Sequence, residues 1–412
     1  LIPSRRQLLA IGALGLAVRT AYVLVARPVI PFLSDGQTYH LLAKALADGR
    51  GYIAPFDWFF HQQVRPTAQF GPAHPSMLAI TTLLGASSVR AQQLTLGLVG
   101  SVTPVLTALL AGRITCRPRA ALAAGLVAAV HPMLFGSDGA LMSETLYALL
   151  GLVVVLALLQ PGRWWSLLAG VAVGLAVLTR GDGLLLIPCV VLPTVLLHHR
   201  KASSMAAALR AVATVAVVAT AVVAPWVVRN YARFDGRLVL SNNVGSLISG
   251  ANCPASYAGP SMGSWDFRCA YAVKLRGADE AANSAVLRNA GLRYARDHAS
   301  RLPLVAPARL LRAWGVLHPF GQARAEVTDG RVLGAQVAGV VLDWVLVPLF
   351  LVGVIALRRR GRPIAPLVGM VALVSLLVAL SYGSSRLREL AEPALIVGAV
   401  AGIDSLLFTR RR

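Results

Sequence analysis

Carboxylates and arginines recur at the ends of long apolar runs in this chain, where ionisable side chains can do chemistry without touching lipid. Asp35 stands in Ser34-Asp35-Gly36-Gln37-Thr38-Tyr39-His40. Ser34 and Gln37 have the spacing of a capping box, which predicts a short helix with Asp35 in its first turn. The helix dipole favours the ionised carboxylate there, and a carboxylate at a membrane face can act as a general base toward a hydroxyl. An ordinary helix-start aspartate has the same spacing. Glu144, closing Ser137-Asp138-Gly139-Ala140-Leu141-Met142-Ser143-Glu144, is the second acidic candidate, with Asp138 one loop away. Simple helix capping by Ser143 and Glu144 is the alternative reading.

Arginines mark the same ends: Arg180 in Thr179-Arg180-Gly181-Asp182, Arg229 after Pro225-Trp226, and Arg386 with Arg388 in Ser384-Ser385-Arg386-Leu387-Arg388. A lipid-linked phosphate would offset such cations, because arginine offers forked donors and the phosphate gains charge as a glycosidic bond breaks. Snorkelling to lipid headgroups would account for any one of them, though less well for the set. Lys44 and Arg65 share the loop of Asp35 and are further candidates for holding phosphate, a description that solvated loop charges also satisfy. Tyr39, His40, His74 and Tyr382 are placed to line a pocket for an acceptor or a sugar; Tyr382, with Trp226 and Trp314, also suits an interfacial aromatic belt. His61, His74 and His318 have no metal-ligand spacing, and neither CxxC, HExxH nor a P-loop occurs. No metal or cofactor is therefore expected.

The elements that must position these residues are membrane helices. Of 412 residues, 56% are hydrophobic and only 14% charged, with mean hydropathy +0.67, far more apolar than a soluble domain. The formal net charge of +22 lies largely in short clusters between apolar runs, the pattern of membrane orientation and not of nucleic-acid binding. Apolar runs at 7–27, 92–112, 120–136, 144–160, 165–179, 183–198, 207–228, 333–356, 363–381 and 389–408 predict an all-α polytopic protein with about ten transmembrane helices. Arg5 and Arg6, Arg113 to Arg119, Arg163, His198 to Lys201, Arg358 to Arg362 and Arg410 to Arg412 then share one side, cytoplasmic by the positive-inside rule. The run 74–88 would invert that order if it spanned, so a helix at the outer membrane edge is expected there. Ser4-Arg5-Arg6 before an apolar stretch has the look of a twin-arginine signal, but Arg19 and the missing cleavage site predict a retained first span. Residue 1 is Leu, so a start upstream is expected.

Three regions follow: a transmembrane module over 1–228 with a first external loop at 28–91, an extracytoplasmic subdomain over 229–332, and C-terminal helices over 333–412. Cys253 and Cys269 fall in the second of these, where an oxidising compartment predicts a disulfide. Cys116 and Cys189 are expected as free thiols.

Read in order, the motifs resemble the GT-C class of glycosyltransferases, in particular the group of protein O-mannosyltransferases and lipid A aminoarabinose transferases. The matching residues are Asp35, Tyr39, Leu46, Gly49, Gly51 and Tyr52; Gly71-Pro72-Ala73-His74-Pro75; Ser143-Glu144; Leu178-Thr179-Arg180; Pro225-Trp226 with Arg229-Asn230 and Gly236; and Arg386, Arg388, Glu392 and Pro393. The segment from Gly250 to Cys269, with the Ala/Arg-rich composition, is similar to actinobacterial members. The resemblance implies a GT-C-like fold and inverting transfer of a hexose or pentose, mannosyl- or arabinosyl-like, from a polyprenyl-phosphate carrier to an extracytoplasmic lipid, glycan or protein. It also implies a multi-pass protein of the plasma (inner) membrane whose active site faces outward. Asp35 would be base or acceptor-orienting group, and Glu144, or Asp138, the second-loop acid. Many relatives have an acidic pair where this chain has Asp35-Gly36. A transporter or flippase of an anionic lipid-linked substrate is the competing class; against it stand the missing internal repeat and the few ionisable residues at mid-membrane depth.

Overall fold

A computed structural model of the chain describes residues 3–198, 204–237, 240–275, 277 and 279–408. Regular structure among them is helical, apart from an isolated antiparallel bridge between Ile53 and Pro66. Residues 199–201 and 410–412 of the basic clusters lie outside the described residues.

Each apolar run becomes a helical rod. Arg5–Ala21 continues through the π turn Tyr22–Ala26; Val89–Gly100 and Val102–Thr115 are nearly continuous; Pro118–Val130 and Pro132–Gly139 are bent by 40°. Glu144–Leu158, Arg163–Thr179, Gly181–Leu197, Met205–Arg233, Leu333–Arg359, Ala365–Leu380 and, after the 3₁₀ turn Ser385–Ala391, Glu392–Phe408 follow. Among the described residues five rods are long and apolar enough to cross a membrane, six if the bent pair is one span, while four further apolar helices are shorter. The expected count of about ten therefore describes apolar rods and not rods that all reach spanning length. Ala73–Leu83 has 11 residues, about 16 Å of helix against a hydrocarbon core of about 30 Å, too short to cross. Met205–Arg233 runs past the expected end at 228 because Pro225 is tolerated inside it.

The two connecting segments are tied to one another. Arg229 donates to the carbonyls of Thr67 and Tyr52, both at 2.7 Å, and the Trp226 indole donates to Leu240 O at 2.8 Å. Glu280 accepts from Thr67 Oγ1 at 3.0 Å and from the Ala68 amide at 3.1 Å. Cys253 and Cys269 are disulfide-bonded, and Cys116 and Cys189 are free. At the far end of the bundle Arg117 and Arg360 both reach Asp404, at 2.5 and 3.3 Å, so these basic clusters share a side, as their charge pattern requires.

Close packing rests on small residues. A Cβ at Gly353 would fall 1.8 Å from Gly398 O, and one at Gly402 would fall 2.3 Å from Leu349 O, so the helices Leu333–Arg359 and Glu392–Phe408 meet backbone to backbone. Gly353→Val is expected to cost about 1–3 kcal/mol through overpacking, read as a lowered melting temperature in detergent. Gly334→Ala on the same helix, where nothing lies within 4 Å, should leave the melt unchanged.

Candidate active site

Helix Asp35–Ala47 starts where Ser34 Oγ accepts the Gln37 amide at 3.3 Å, the N-cap half of the predicted box. Its first turn lies against the 140 loop: a Cβ at Gly36 would sit 2.3 Å from Ala140 O. Residue 36 therefore has no room for the second acid that many members of the resembling group carry there. That contact brings Asp35 toward Ser143 and Glu144, and Tyr39, one turn on, donates from its hydroxyl to Ser143 Oγ at 3.2 Å. From the other side, a Cβ at Gly71 would lie 2.1 Å from Leu178 O, so the 67–71 segment closes onto the end of helix Arg163–Thr179, next to Arg180.

Arg386 is the centre of the arrangement. Its Nη2 meets Asp35 Oδ2 at 2.7 Å, its Nε meets Glu144 Oε1 at 3.2 Å and its Nη1 meets Asp329 Oδ2 at 2.9 Å. Glu144 Oε1 is shared with Arg180 Nη1 at 2.9 Å, and Arg180 Nε also meets Asp182 at 3.1 Å. The Glu144 side chain is 3% exposed, whereas Asp35 and Asp329 are 29% and 27% exposed. Burial pushes the Asp329 carboxyl above its ordinary range, more than the Arg386 charge pulls it down. The turn Ser385–Ala391 that carries Arg386 is held from below by Glu326, whose Oε1 accepts from Ser384 Oγ, Ser385 Oγ and the Arg386 amide at 2.8, 2.7 and 3.3 Å.

A cavity of about 340 Å³ opens on this cluster, within the size range of ligand sites. Asp35, Tyr39, Arg180, Asp182, Tyr382 and Arg386 are among its polar lining residues, and Leu185, Leu247, Leu377 and Leu387 among its apolar ones.

Several expected members stand elsewhere. Arg388 is buried among Asp343, Glu392 at 2.7 Å and Ala313 O at 2.9 Å, because a guanidinium inside a helix bundle must be neutralised there. Asp138 is fully buried against Arg19 at 2.7 Å and accepts from Thr145 at 2.6 Å. Arg229 is spent on backbone carbonyls, Arg65 is exposed beside Asp57 at 3.7 Å, and Lys44 is exposed. His40 bonds Gln92 at 2.8 Å and His74 bonds Leu141 O at 3.1 Å, both buried and neither lining the cavity. The external arginines that were expected to need an outside anion are thus matched chiefly by this chain's own carboxylates. Asp329, Asp182 and Glu326 escaped the sequence reading. Asp329 lies just before an apolar run, the same position that singled out Glu144, and that rule applied evenly finds it.

Among the described residues one group of His, Asp and Glu is close enough to chelate an ion: His131, Asp343 and Glu392, all buried. Arg388 already supplies the cation to both carboxylates.

Residues 67–228 match the profile of the family described as dolichyl-phosphate-mannose-protein mannosyltransferase. No curated protein sequence matches the chain. The oligosaccharyltransferase of Archaeoglobus fulgidus tethered with an acceptor peptide superposes with a TM-score of 0.52 at 13% identity, over 99% of this chain and 50% of that one. The oligosaccharyltransferase AglB from Archaeoglobus fulgidus, in complex with an inhibitory peptide and a dolichol-phosphate, gives 0.50 at 13% identity, over 98% and 50%. ArnT from Cupriavidus metallidurans bound to undecaprenyl phosphate is similar over 97% of this chain and 77% of its own, at 17% identity and a TM-score of 0.43. The fold is that of the GT-C glycosyltransferases, and the chain spans half the length of the archaeal enzyme it matches.

Arg386→Gln strips the shared cation from Asp35, Glu144 and Asp329 and is expected to destabilise by roughly 3 kcal/mol. Adding Asp329→Asn should recover part of that loss; a double variant melting below the single one would show that Asp329 is not among the charges Arg386 offsets.

Proposed function

We propose that the chain transfers a sugar from a polyprenyl-phosphate carrier to an acceptor hydroxyl on the outer side of the plasma membrane. The observation that carries this reading is the Arg386 hub: two arginines and a part-exposed carboxylate meet at a cavity lined by both polar and apolar side chains. The mannosyltransferase profile over 67–228 and the dolichol-phosphate bound by the archaeal enzyme of the same fold support the donor class.

In this mechanism the carrier's phosphate takes donors from Arg180 and Arg386, and the first prenyl units lie along Leu247, Leu377 and Leu387. Carboxylates outnumber guanidinium groups here, so the phosphate gains Arg386 only by displacing a carboxylate. Asp35, which lines this cavity where Asp329 does not, is released, and its Oδ2 accepts the hydrogen bond of the acceptor hydroxyl. The hydroxyl oxygen attacks the anomeric carbon as its proton passes to Asp35. The bond from that carbon to the phosphate oxygen breaks, its electron pair leaves with the phosphate, and Arg180 and Arg386 hold the charge that develops. A single displacement of this kind inverts the anomeric configuration. Glu144 keeps both guanidinium groups in place from beneath, and no cofactor beyond the donor is drawn on. The transferred sugar is a hexose or a pentose.

Asp35→Asn should lower turnover by about 10²–10⁴-fold, with undecaprenyl phosphate binding retained. The measurement is mass spectrometry of released carrier phosphate and glycosylated product from purified protein given polyprenyl-phospho-sugars and membrane extract. Full turnover by folded Asp35→Asn removes the assignment. Carrier binding without product from any donor favours transport.

A further inference from the structure

A second cavity, of about 430 Å³, meets the first at Arg386 and Tyr382, which line both. Its lining comes from the 260–266 stretch inside the disulfide loop and from the 318–329 stretch. The loop wall is held rigidly from behind. Arg312 donates to Met262 O at 2.6 Å and to Pro260 O, and the Gly383 amide donates to Gly263 O at 2.7 Å. The Cys253–Cys269 disulfide closes its base.

The chemistry of the lining is specific. The Trp265 indole N–H is spent on Ser246 O at 3.0 Å. Its ring lies over Gly250, where a Cβ would come within 2.2 Å, so the ring is locked in place at the cavity edge with part of its surface exposed. Asp266, Gln322 and Asp329 bring carboxylate and amide groups around it. Glu326 also lines the cavity and is 2% exposed, yet its Oε2 has no hydrogen-bond partner, and a buried acceptor of that kind calls for a donor from a ligand or water. A fixed aromatic face beside hydrogen-bonding carboxylates and amides matches a sugar ring, which offers a C–H face for the negative π surface and hydroxyls for the polar groups. An anionic ligand is disfavoured: three carboxylates line the cavity, and its arginines are committed to backbone carbonyls or to the hub. An extended peptide gains most from a strand edge, and the described part of this wall has none.

We propose that this second cavity is the acceptor subsite and that it takes the uncharged end of a carbohydrate chain, with Trp265 as stacking platform and Glu326 and Asp329 as hydroxyl acceptors. The proposal rests on the glycosyl-transfer reading above. A hydroxyl oxygen of the bound glycan forms the new bond to the donor's anomeric carbon. Its proton passes to Asp35 across the Arg386 boundary, and the electron pair of the broken bond goes to the carrier phosphate.

The test uses the full chain in lipid nanodiscs and two independent readouts. Saturation-transfer NMR is recorded with neutral trisaccharides of mannose, glucose and arabinose and with a threonine-rich peptide, and the thermal shift with undecaprenyl phosphate is measured separately. At least one trisaccharide should bind, about tenfold more weakly in Trp265→Ala, more weakly in Asp329→Asn, and nearly as wild type in Trp265→Phe. The undecaprenyl phosphate shift should be unchanged in Trp265→Ala, which also reports that this variant folds. No trisaccharide binding beside an intact undecaprenyl phosphate shift overturns the carbohydrate subsite and leaves the transferase reading standing, as does peptide binding with the same Trp265 dependence. Trisaccharide binding with no undecaprenyl phosphate shift supports the subsite and overturns the donor assignment instead.

Discussion

One guanidinium shared by three carboxylates sets the geometry of the end of the bundle that holds the cavities. Asp35, Glu144 and Asp329 come from segments far apart in the chain, and each meets a different nitrogen of Arg386. Ions at the edge of a hydrocarbon layer cannot be left unpaired without a cost of several kcal/mol, so the segments that carry them must converge. Such a cluster contributes little net stability relative to apolar packing, but it permits few alternative arrangements. The glycines are the mechanical counterpart of that demand. Gly36 against Ala140 and Gly71 against Leu178 let backbones approach closely enough for the charges to meet.

The hub is itself supported by layers that do not touch the cavities described. Arg331 contacts Ser137 and Glu389 in the same turn that bears Arg386. Arg388, two residues on, anchors that turn to Asp343 and Glu392. Alternate residues of one short 3₁₀ turn thus point to opposite tasks, one toward the cavities and one into the bundle. A turn whose ends are fixed in this way presents Arg386 at a defined place, and a preorganised donor costs little reorganisation when charge develops.

The arrangement of cavities follows from the same turn. Arg386 and Tyr382 form the boundary between a space with an apolar wall and one with carboxylates and a locked indole. Two chemically different ligands can then meet at one pair of side chains, which is what a transfer reaction between unlike partners requires.

The helical rods, the short helix beginning at Asp35 and the disulfide were legible in the sequence, because hydropathy period, capping residues and cysteine placement are local properties. So was the placement of Asp35, Glu144, Arg180 and Arg386 at the ends of apolar runs, since an ionisable residue there has few other places to go. Arg386 and Arg388 look alike in sequence, and only the 3₁₀ turn, which sends their side chains to different sides, decided that one faces a cavity and the other a buried acid pair. Asp138 and Glu144 are separated in the same way by the turn between their helices. The partners of the arginines, the role of Asp329 and the second cavity depend on contacts between segments well separated in the chain, from 36 residues for Arg180 with Glu144 to 351 for Arg386 with Asp35, and such pairing is a property of the packed chain.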